Sequence, residues 1–587
     1  MLRIRTIFIF FLVGIIHVSK GQTDLNNNSL LDSYKDISQE KVFIHYNTSS
    51  AVVGENIYYK VYCLEEKTNK LSNLSKIAYV ELVGANNQTV FKHKIKLESG
   101  LGDGDFFIPA EVSSGHYKII GYTRWMLNKD QDSFFQGDIT VINPYQTNQD
   151  NILIIPNDSA AVKSNSKDGL LSESIKNEYV LFETDSKTYG KRTPVSLKLK
   201  SILGEKGKTN FSISVRKTDM SQNFEVARAD GFLNAYKSNE PNNNKTIFLP
   251  ELRGELFKGK VLDKESKLPL HSKQVALSSI GDNFQLSVSD TNNYGVFYFN
   301  LEEENPENEV IVQVLGEGRS NCMLQMDTEE YIDYDQLSFE KVEIMSKSLD
   351  AIFKRSIHNQ FENAYSEMRA DSTIVREQNL PFYTNLSKLY NLDDYTRFPT
   401  IAETIVEIVD NAWIEKNKNG EPIFKVKDFG PYLDLVTLPL VIVDGAMVQN
   451  HNELVDYDAR KIQSIGLYTD KFRIGPEVFQ GALLFETISE DFSISSDGDY
   501  IMKKKLLRPL PQKKYYKQSY QADLRTKYER IPDFRSQLLW VPDISLTDEE
   551  ITLEFYTSDV SGTYRISLEG FTESGRPISI MKTIEVE

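Results

Sequence analysis

The sequence predicts a mainly β protein, made of tandem antiparallel β-sandwiches with one α+β domain among them. Tyrosine and phenylalanine are abundant, with 30 and 32 copies in 587 residues, and these residue types favour half-buried pleated surfaces. Short runs that alternate apolar and polar residues recur between turn residues, which is typical of antiparallel sandwiches. A helical spacing of apolar residues is confined to the middle of the chain.

The first 21 residues have the pattern of a signal peptide. Arg3 and Arg5 precede an apolar run over residues 7–16, and residues 19–21 (Ser-Lys-Gly) are suitable for cleavage. A membrane-spanning helix needs about 20 apolar residues, so a run of about ten predicts a cleaved signal (1–21) in preference to an uncleaved anchor. No cysteine stands near the cleavage point, so we expect no lipid anchor there. Export to the periplasm or the outer membrane is the expectation.

Three β-sandwiches are predicted in the first part of the mature chain, where about 100–150 residues per domain lead us to expect four or five domains in all. The first covers residues 40–145 and starts with alternating runs at 41–46 and 56–62. The second is predicted over 178–250, after a stretch rich in Asn, Asp, Ser and Lys. The third is predicted over 254–316.

The middle and the end of the chain have a different pattern. A helical connector is predicted over 346–378, with apolar residues at near-helical spacing: Leu349, Ile352, Phe353, Ile357, Phe361 and Tyr365. Residues 380–490 combine a helix that begins near Pro399 with a buried strand at 438–443, so an α+β domain is expected. Alternating strands return from about residue 515, which predicts a closing sandwich over 515–587.

The charge of the chain argues against two classes of partner. The formal net charge is −17, and it becomes more negative when the three cations of the signal peptide are removed. Such a surface repels nucleic acid and anionic lipid headgroups, so neither is expected to bind, and membrane association is expected through partners. Lys503–Lys505 and Lys513–Lys514 form one basic island, which we interpret as a solvated linker in preference to a binding patch.

Cysteine and histidine are too few to suggest a disulfide framework or a metal enzyme. Cys63 and Cys322 are the two cysteines of the chain, and we expect two buried thiols. His358 and Glu362 are spaced to share one helix face, but a zinc site needs three or four ligands. Solvated polar residues explain this pair more simply.

Two acidic turns, Asp103-Gly104-Asp105 and Asp497-Gly498-Asp499, could contribute to calcium sites but lack the remainder of a calcium-loop pattern. We interpret both as ordinary acidic turns. We therefore predict no catalytic residue, no cofactor-binding residue and no metal ligand.

Several segments resemble modules of Bacteroidetes envelope proteins. Residues 41–45, 54–60 and 115–126 resemble macroglobulin-type sandwiches (MG2-type), as do 183–189 and parts of 532–559. The turn at 290–295 and the aromatic strand after it are similar to carboxypeptidase-like regulatory domains, which are usually non-catalytic. These resemblances imply β-sandwiches that present edges and loops to other proteins.

Residues 380–490 resemble the plug domain of TonB-dependent receptors. The resemblance lies in 439–445 (Pro-Leu-Val-Ile-Val-Asp-Gly), 462–465 and 481–487. A receptor barrel of 22 strands does not fit in the 97 residues that follow Glu490. The resemblance therefore implies a plug-like domain without its own pore, which suits docking on a barrel made by another protein.

The function predicted from these features is that of a non-catalytic envelope binding or scaffold protein. We expect it to associate with an outer-membrane β-barrel complex that assembles, secretes or takes up macromolecules. One alternative is a macroglobulin-like protease trap, because Cys322 and Gln325 have the C-x-x-Q spacing of an internal thioester. The glycine and glutamate that the family places around this pair are missing. A second alternative is a secreted glycan-binding protein with exposed aromatic residues.

Overall fold

The structure is a computed structural model, and the predicted mainly β fold class is confirmed by its sheets. It describes residues 37–147, 149, 152–154, 179–202, 209–218, 226–238, 247–280, 284–301, 309–327, 332–339, 344–345, 348–374, 385–429, 437–490, 492–494, 498–521, 530–546 and 550–587. The predicted signal peptide lies outside the described residues.

The strands follow one another in short runs along the whole described chain. The first nineteen are β1 (Glu40–Tyr46), β2 (Ser50–Val52), β3 (Asn56–Glu65), β4 (Ile77–Gly84), β5 (Thr89–Lys96), β6 (Leu101–Phe107), β7 (Gly115–Tyr122), β8 (Phe135–Ile142), β9 (Leu153–Ile154), β10 (Val180–Thr184), β11 (Thr188–Tyr189), β12 (Pro194–Ser201), β13 (Thr209–Lys217), β14 (Glu255–Asp263), β15 (Gln274–Ser279), β16 (Gln285–Asp290), β17 (Val296–Leu301), β18 (Glu309–Val314) and β19 (Cys322–Met326). The remainder are β20 (Ile344–Met345), β21 (Ser372–Thr373), β22 (Lys388–Asn391), β23 (Ala412–Lys416), β24 (Pro422–Val426), β25 (Leu440–Val443), β26 (Ala446–Met447), β27 (Ile462–Ile474), β28 (Glu477–Thr487), β29 (Ile501–Lys505), β30 (Lys513–Lys514), β31 (Gln537–Leu546), β32 (Ile551–Tyr556), β33 (Gly562–Thr572) and β34 (Pro577–Val586).

Helices are few and short in the described part. The α-helices are α1 (Ala229–Ala235), α2 (Leu349–Ala364), α3 (Ile401–Ile408) and α4 (Asn452–Val455). Single 3-10 turns occupy Arg124–Asn128, Gln131–Ser133, Arg319–Asn321, Ser366–Arg369, Leu392–Asp394 and Ala459–Lys461. No helix among the described residues is long and apolar enough to cross a membrane.

The first sandwich packs the sheet β1-β3-β6 on the sheet β2-β8-β7-β4-β5. Because successive side chains of a strand point to opposite faces, β1 serves two layers. Val42 and Ile44 lie against Gly121 of β7 inside the sandwich. Phe43 and His45 point the other way, and both are fully buried. The first sandwich is therefore covered on its outer face by another part of the chain.

The second sandwich corrects the predicted domain division. Its sheets are β10-β12-β32 and β11-β34-β33-β13-β31, so strands from the predicted domains 178–250 and 515–587 alternate in one fold. Ile213 of β13 pairs with Leu568 of β33 on one side and with Val541 of β31 on the other. The two segments share one hydrophobic core. Alternation predicted the strands, but it does not encode their partners, which lie more than 300 residues away.

The third sandwich also extends beyond its predicted limits of 254–316. Its sheets are β17-β14-β19 and β16-β15-β18-β29, so it includes β19 and a strand from far along the chain. In that strand Lys503–Lys505 pair with β18, and Lys505 stands opposite Glu309. The interpretation of this basic island as a solvated linker was wrong. Ile501 of the same strand is buried, so burial of its apolar residues orders the island.

The α+β domain is inserted between β19 and β29. Its sheet has the order β22-β27-β28-β25-β26, and the hairpin of β23 and β24 packs beside it. Thr400 caps α3, where its Oγ1 accepts a hydrogen bond from the Glu403 amide at 3.3 Å. The predicted turn at Asp444 and Gly445 joins β25 to β26, and both residues have positive φ. The plug-like character inferred for this domain stays a prediction.

Helix α2 occupies the predicted connector but buries an unexpected face. Ile352 is buried, whereas three other predicted apolar positions are 43%, 62% and 46% exposed: Leu349, Phe353 and Phe361. Arg355 and Asn359 point inward because they bind Glu55 of the first sandwich. The buried charge of Glu55, which is distant in sequence, therefore decides which face of the helix is buried, and the apolar pattern of the helix does not.

Candidate functional site: a cleft at the junction of two sandwiches

The first and second sandwiches meet face to face through β1, β3, β13 and β33. The His45 Nδ1 atom lies 2.6 Å from the Ser212 hydroxyl, and Nε2 lies 3.3 Å from the Ser567 hydroxyl. Burial lowers the pKa of His45 to about 3, so the ring is neutral at physiological pH. The Tyr62 hydroxyl donates to the Glu569 carbonyl at 2.9 Å. This polar contact is continuous with apolar packing, because the rings of Phe43 and Phe571 lie 5.8 Å apart.

Glu55 ties both sandwiches to helix α2. It follows Gly54, whose φ of 87° is readily adopted only by glycine. Arg355 donates from Nε and Nη2 to the two carboxylate oxygens at 2.6 and 2.7 Å. Arg216 of β13 adds a bond of 2.6 Å. Burial opposes ionisation of Glu55, but the two arginines outweigh it and hold the pKa of this carboxyl at about 2.

A cleft with a cavity volume of ≈ 70 Å³ opens beside this ion cluster, and we term it the junction cleft. Its lining comes from the 45–50 segment, the end of β13, residues 226–228, α2, β33 and β34: His45, Asn47, Thr48, Ser49, Ser50, Ser214, Arg216, Lys217, Thr218, Val226, Ala227, Arg228, Arg355, Arg565, Ser567, Glu569 and Met581. Five of these side chains are cationic, and one, Glu569, is acidic. The cleft therefore has a positive excess, although the chain as a whole is strongly acidic.

Glu569 contributes little negative charge to the cleft. Burial raises the pKa of Glu569 to about 8, and the carboxyl is protonated at pH 7 for most of the time. Its Oε2 atom accepts hydrogen bonds from the Ala229 amide at 2.8 Å and from the Ser579 hydroxyl at 2.5 Å. These bonds favour the charged form, but the desolvation of a fully buried carboxylate outweighs them.

Cys322 and Gln325 do not come together in a thioester geometry. Both lie in β19, three positions apart, so their side chains point to opposite faces of the strand. Cys322 is 1% exposed and belongs to the core of the third sandwich, whereas Gln325 is exposed. Both cysteines are free and buried, as expected from the sequence.

His358 and Glu362 attach helix α2 to the loop before β31. The His358 ring stacks on Phe534 at a centroid distance of 4.5 Å. Glu362 accepts a hydrogen bond from the Phe534 amide at 2.6 Å and pairs with Arg369. Both side chains of the predicted pair thus make contacts that hold the helix in place.

The two acidic segments also have protein partners, and the interpretation of the first as a turn was wrong, because Asp103 and Asp105 lie within β6 and pair with β3. Lys513 binds Asp105 at 2.8 Å, and the Tyr515 hydroxyl donates to Asp103 at 3.2 Å. Asp499 pairs with Lys264 at 3.2 Å, and Asp497 lies outside the described residues. Within the described ranges no cluster of three metal-binding side chains occurs.

The residues that build the junction cleft were missed by the sequence analysis. Arg216 stands on an alternating strand and Glu55 directly precedes one, and charged residues at such positions are normally assigned to the solvent face. Arg355 and Asn359 offered one signal, because their spacing of four places two polar side chains on the same face of helix α2. Their partners cannot be found from spacing, since they lie hundreds of residues away.

The comparisons with known proteins were made for families, curated proteins and solved structures. No family model matches the chain, and no curated protein matches it. Among solved structures, Escherichia coli alpha-2-macroglobulin activated by porcine elastase is 9% identical with a TM-score of 0.24, over 93% of this chain and 44% of that one. Salmonella alpha-2-macroglobulin reacted with methylamine is 8% identical with a TM-score of 0.23, over 93% and 39%.

A third similar structure covers less of the chain. Dimeric latent PorU from Porphyromonas gingivalis is 10% identical with a TM-score of 0.14, over 49% of this chain and 33% of that one. The chain thus spans less than half the length of these three structures. All three TM-scores lie below 0.5, so these similarities assign no function to this chain.

Proposed function

We propose that this chain is a non-catalytic scaffold of a bacterial envelope, which holds its modules in fixed positions and binds an outer-membrane protein partner. The observation that carries this proposal is the set of buried charge networks between modules. Modules that share only a small polar interface move relative to one another. Modules joined through desolvated, multiply bonded charges lose that freedom, because separation would leave a charge unpaired or expose the contact to water.

Glu55 provides the first of these networks, between the first and second sandwiches and helix α2. Glu255 of the third sandwich provides another, because it binds Lys94 of the first sandwich at 2.5 Å and Arg508 at 3.3 Å. Glu255 is 4% exposed, so the pair is well desolvated. The three sandwiches are therefore bonded to one another as well as linked by the chain.

The α+β domain offers the surface that suits a partner. Three of its apolar side chains are 69%, 38% and 60% exposed: Val406, Trp413 and Phe429. They belong to segments that meet around Asn411, whose carbonyl accepts from the Lys427 amide at 2.9 Å. Exposed apolar side chains of this size are candidates for an interaction surface. The resemblance of residues 380–490 to receptor plugs supports a β-barrel protein as the partner.

The proposal is tested by affinity purification of the tagged full chain from detergent-solubilised envelopes of its natural host. We expect an outer-membrane β-barrel protein to co-purify with the unaltered chain, and its yield to fall at least about tenfold with V406D/F429D. The matched control is L268D, which alters a turn residue of the third sandwich that is 64% exposed. Equal recovery with all variants, or no barrel protein with the unaltered chain, would refute the proposed partner.

A further inference from the structure

We infer that the junction cleft is a binding site for an oxyanion group of a small ligand, a site that the scaffold function does not require. The first support is charge. Lys217, Arg228 and Arg565 line the cleft in addition to the two arginines that hold Glu55, and Arg228 also pairs with Asp230 at 3.0 Å. Arginine binds carboxylate and phosphate groups through its planar set of donors. A partly desolvated cleft strengthens that attraction relative to an open surface.

The second support is independent of charge. The Ser50 hydroxyl and the Arg228 Nε atom are buried and have no hydrogen-bond partner, and both residues line the cleft. Buried polar atoms in proteins are normally satisfied. The guanidinium Nε–H only donates and the serine hydroxyl readily does so, so an acceptor satisfies both atoms, whereas a cationic ligand offers Arg228 no acceptor.

The wall that carries Ser50 is held in place before any ligand binds. The Thr48 hydroxyl donates to the Ser50 carbonyl at 2.6 Å and accepts from the Ser50 amide at 3.1 Å. Arg355 donates to the same carbonyl at 3.0 Å. A preorganised donor binds a ligand at a lower entropic cost than a mobile one. The geometry therefore resembles a formed site and not a chance cluster of surface cations.

The size of the cleft limits the ligand. Its cavity volume of ≈ 70 Å³ is well below the roughly 300–1,000 Å³ of drug-sized ligand sites, so the cleft has room for a small oxyanion group only. The protonated state of Glu569, which burial favours by raising its pKa to about 8, removes a repulsion that a bound anion would otherwise meet. A small carboxylate or phosphate compound fits these conditions, whereas a polyanion would extend beyond the cleft.

Calorimetric titration of the full mature chain with inorganic phosphate, and separately with succinate, tests the inference at constant ionic strength. We expect saturable binding of at least one of the two anions. The affinity should fall about tenfold or more in R565Q and several-fold in S50A, which removes one donor and leaves every charge. R460Q is the matched control, because Arg460 is an exposed arginine outside the cleft, and its affinity should be unchanged.

The results with the two anions show which kind of oxyanion the cleft binds. They also show whether the cleft is an oxyanion site at all. Saturation by phosphate alone identifies a phosphate-bearing ligand, and saturation by succinate alone identifies a carboxylate. No saturable binding of either anion would overturn the inference, as would equal affinity in the unaltered chain, S50A and R565Q. S50A keeps the test valid if R565Q does not fold. None of these results depends on recovery of a β-barrel partner.

Discussion

At the scale of single residues, Glu55 shows how one charge holds distant parts of the chain. It accepts hydrogen bonds from two arginines, from Asn359 at 3.2 Å and from the Val52 amide at 3.2 Å. Few buried carboxylates have so many donors, and this number makes burial of the charge tolerable. The same donors leave the junction cleft with a net positive charge.

Removal of this charge should be costly. We expect E55Q to lower the free energy of unfolding by about 3–5 kcal/mol, because two buried guanidinium groups lose their counter-charge. Chemical denaturation of the full chain measures this change. D458N is the control, since Asp458 pairs with Arg460 at an exposed site and no measurable change is expected. A loss in E55Q no larger than that in D458N would show that the buried arginines find other partners.

At the scale of elements, the second sandwich depends on strands that are far apart in sequence. Gly570 of β33 lies so close to β13 that a Cβ atom there would come 2.2 Å from the Asn210 carbonyl oxygen and 2.5 Å from the Phe211 Cβ. Only glycine permits this approach of two strands. The pairing of β13 with β33 thus has a specific steric requirement that alternation of apolar residues does not express.

G570A should separate these strands locally. We expect a loss of about 1–3 kcal/mol, typical of overpacking, and faster amide hydrogen exchange in both 180–217 and 537–586, since they form one sandwich. Hydrogen exchange with mass spectrometry measures both segments. G231A is the matched control, because no atom lies within 4 Å of a Cβ at Gly231. Faster exchange confined to 537–586 would mean that the two segments fold separately.

At the scale of the whole molecule, two buried carboxyls lie where modules meet. Glu251 accepts hydrogen bonds from the Tyr79 hydroxyl of the first sandwich at 3.2 Å and from the Leu256 amide of the third at 3.0 Å. Burial raises the pKa of Glu251 to about 7, and that of Glu569 to about 8. The usual pKa of glutamate is 4.5, so folding takes up protons at both sites between these values.

The stability of the chain should therefore depend on pH. Below pH 4.5 both carboxyls are protonated in the folded and in the unfolded chain. As the pH rises from 4.5 to the folded pKa of each carboxyl, ionisation in the unfolded chain lowers the free energy of unfolding by at most roughly 1.4 kcal/mol per pH unit and per group. We expect E251Q/E569Q to lose less stability than the unaltered chain between pH 5 and pH 8. Denaturation curves at several pH values measure this difference. Parallel curves for the two proteins would contradict the assignment.

The sequence by itself determined the mainly β class, the position of most strands, the turn at Asp444 and Gly445, and the two buried thiols. These features follow from local patterns, because alternation and turn chemistry act over a few residues. The signal peptide, the plug-like domain and the partner stay predictions from sequence.

Only the tertiary structure decided which strands share a sheet and which charges are buried. Backbone hydrogen bonds can join any two strands of suitable pattern. The strands that pair with β13 and β29 are therefore selected by side-chain packing between distant segments. The same reason applies to the junction cleft. Arg216 is indistinguishable from a solvated arginine along the chain, and it joins Arg355 in a site only where Glu55 brings two sandwiches and a helix together.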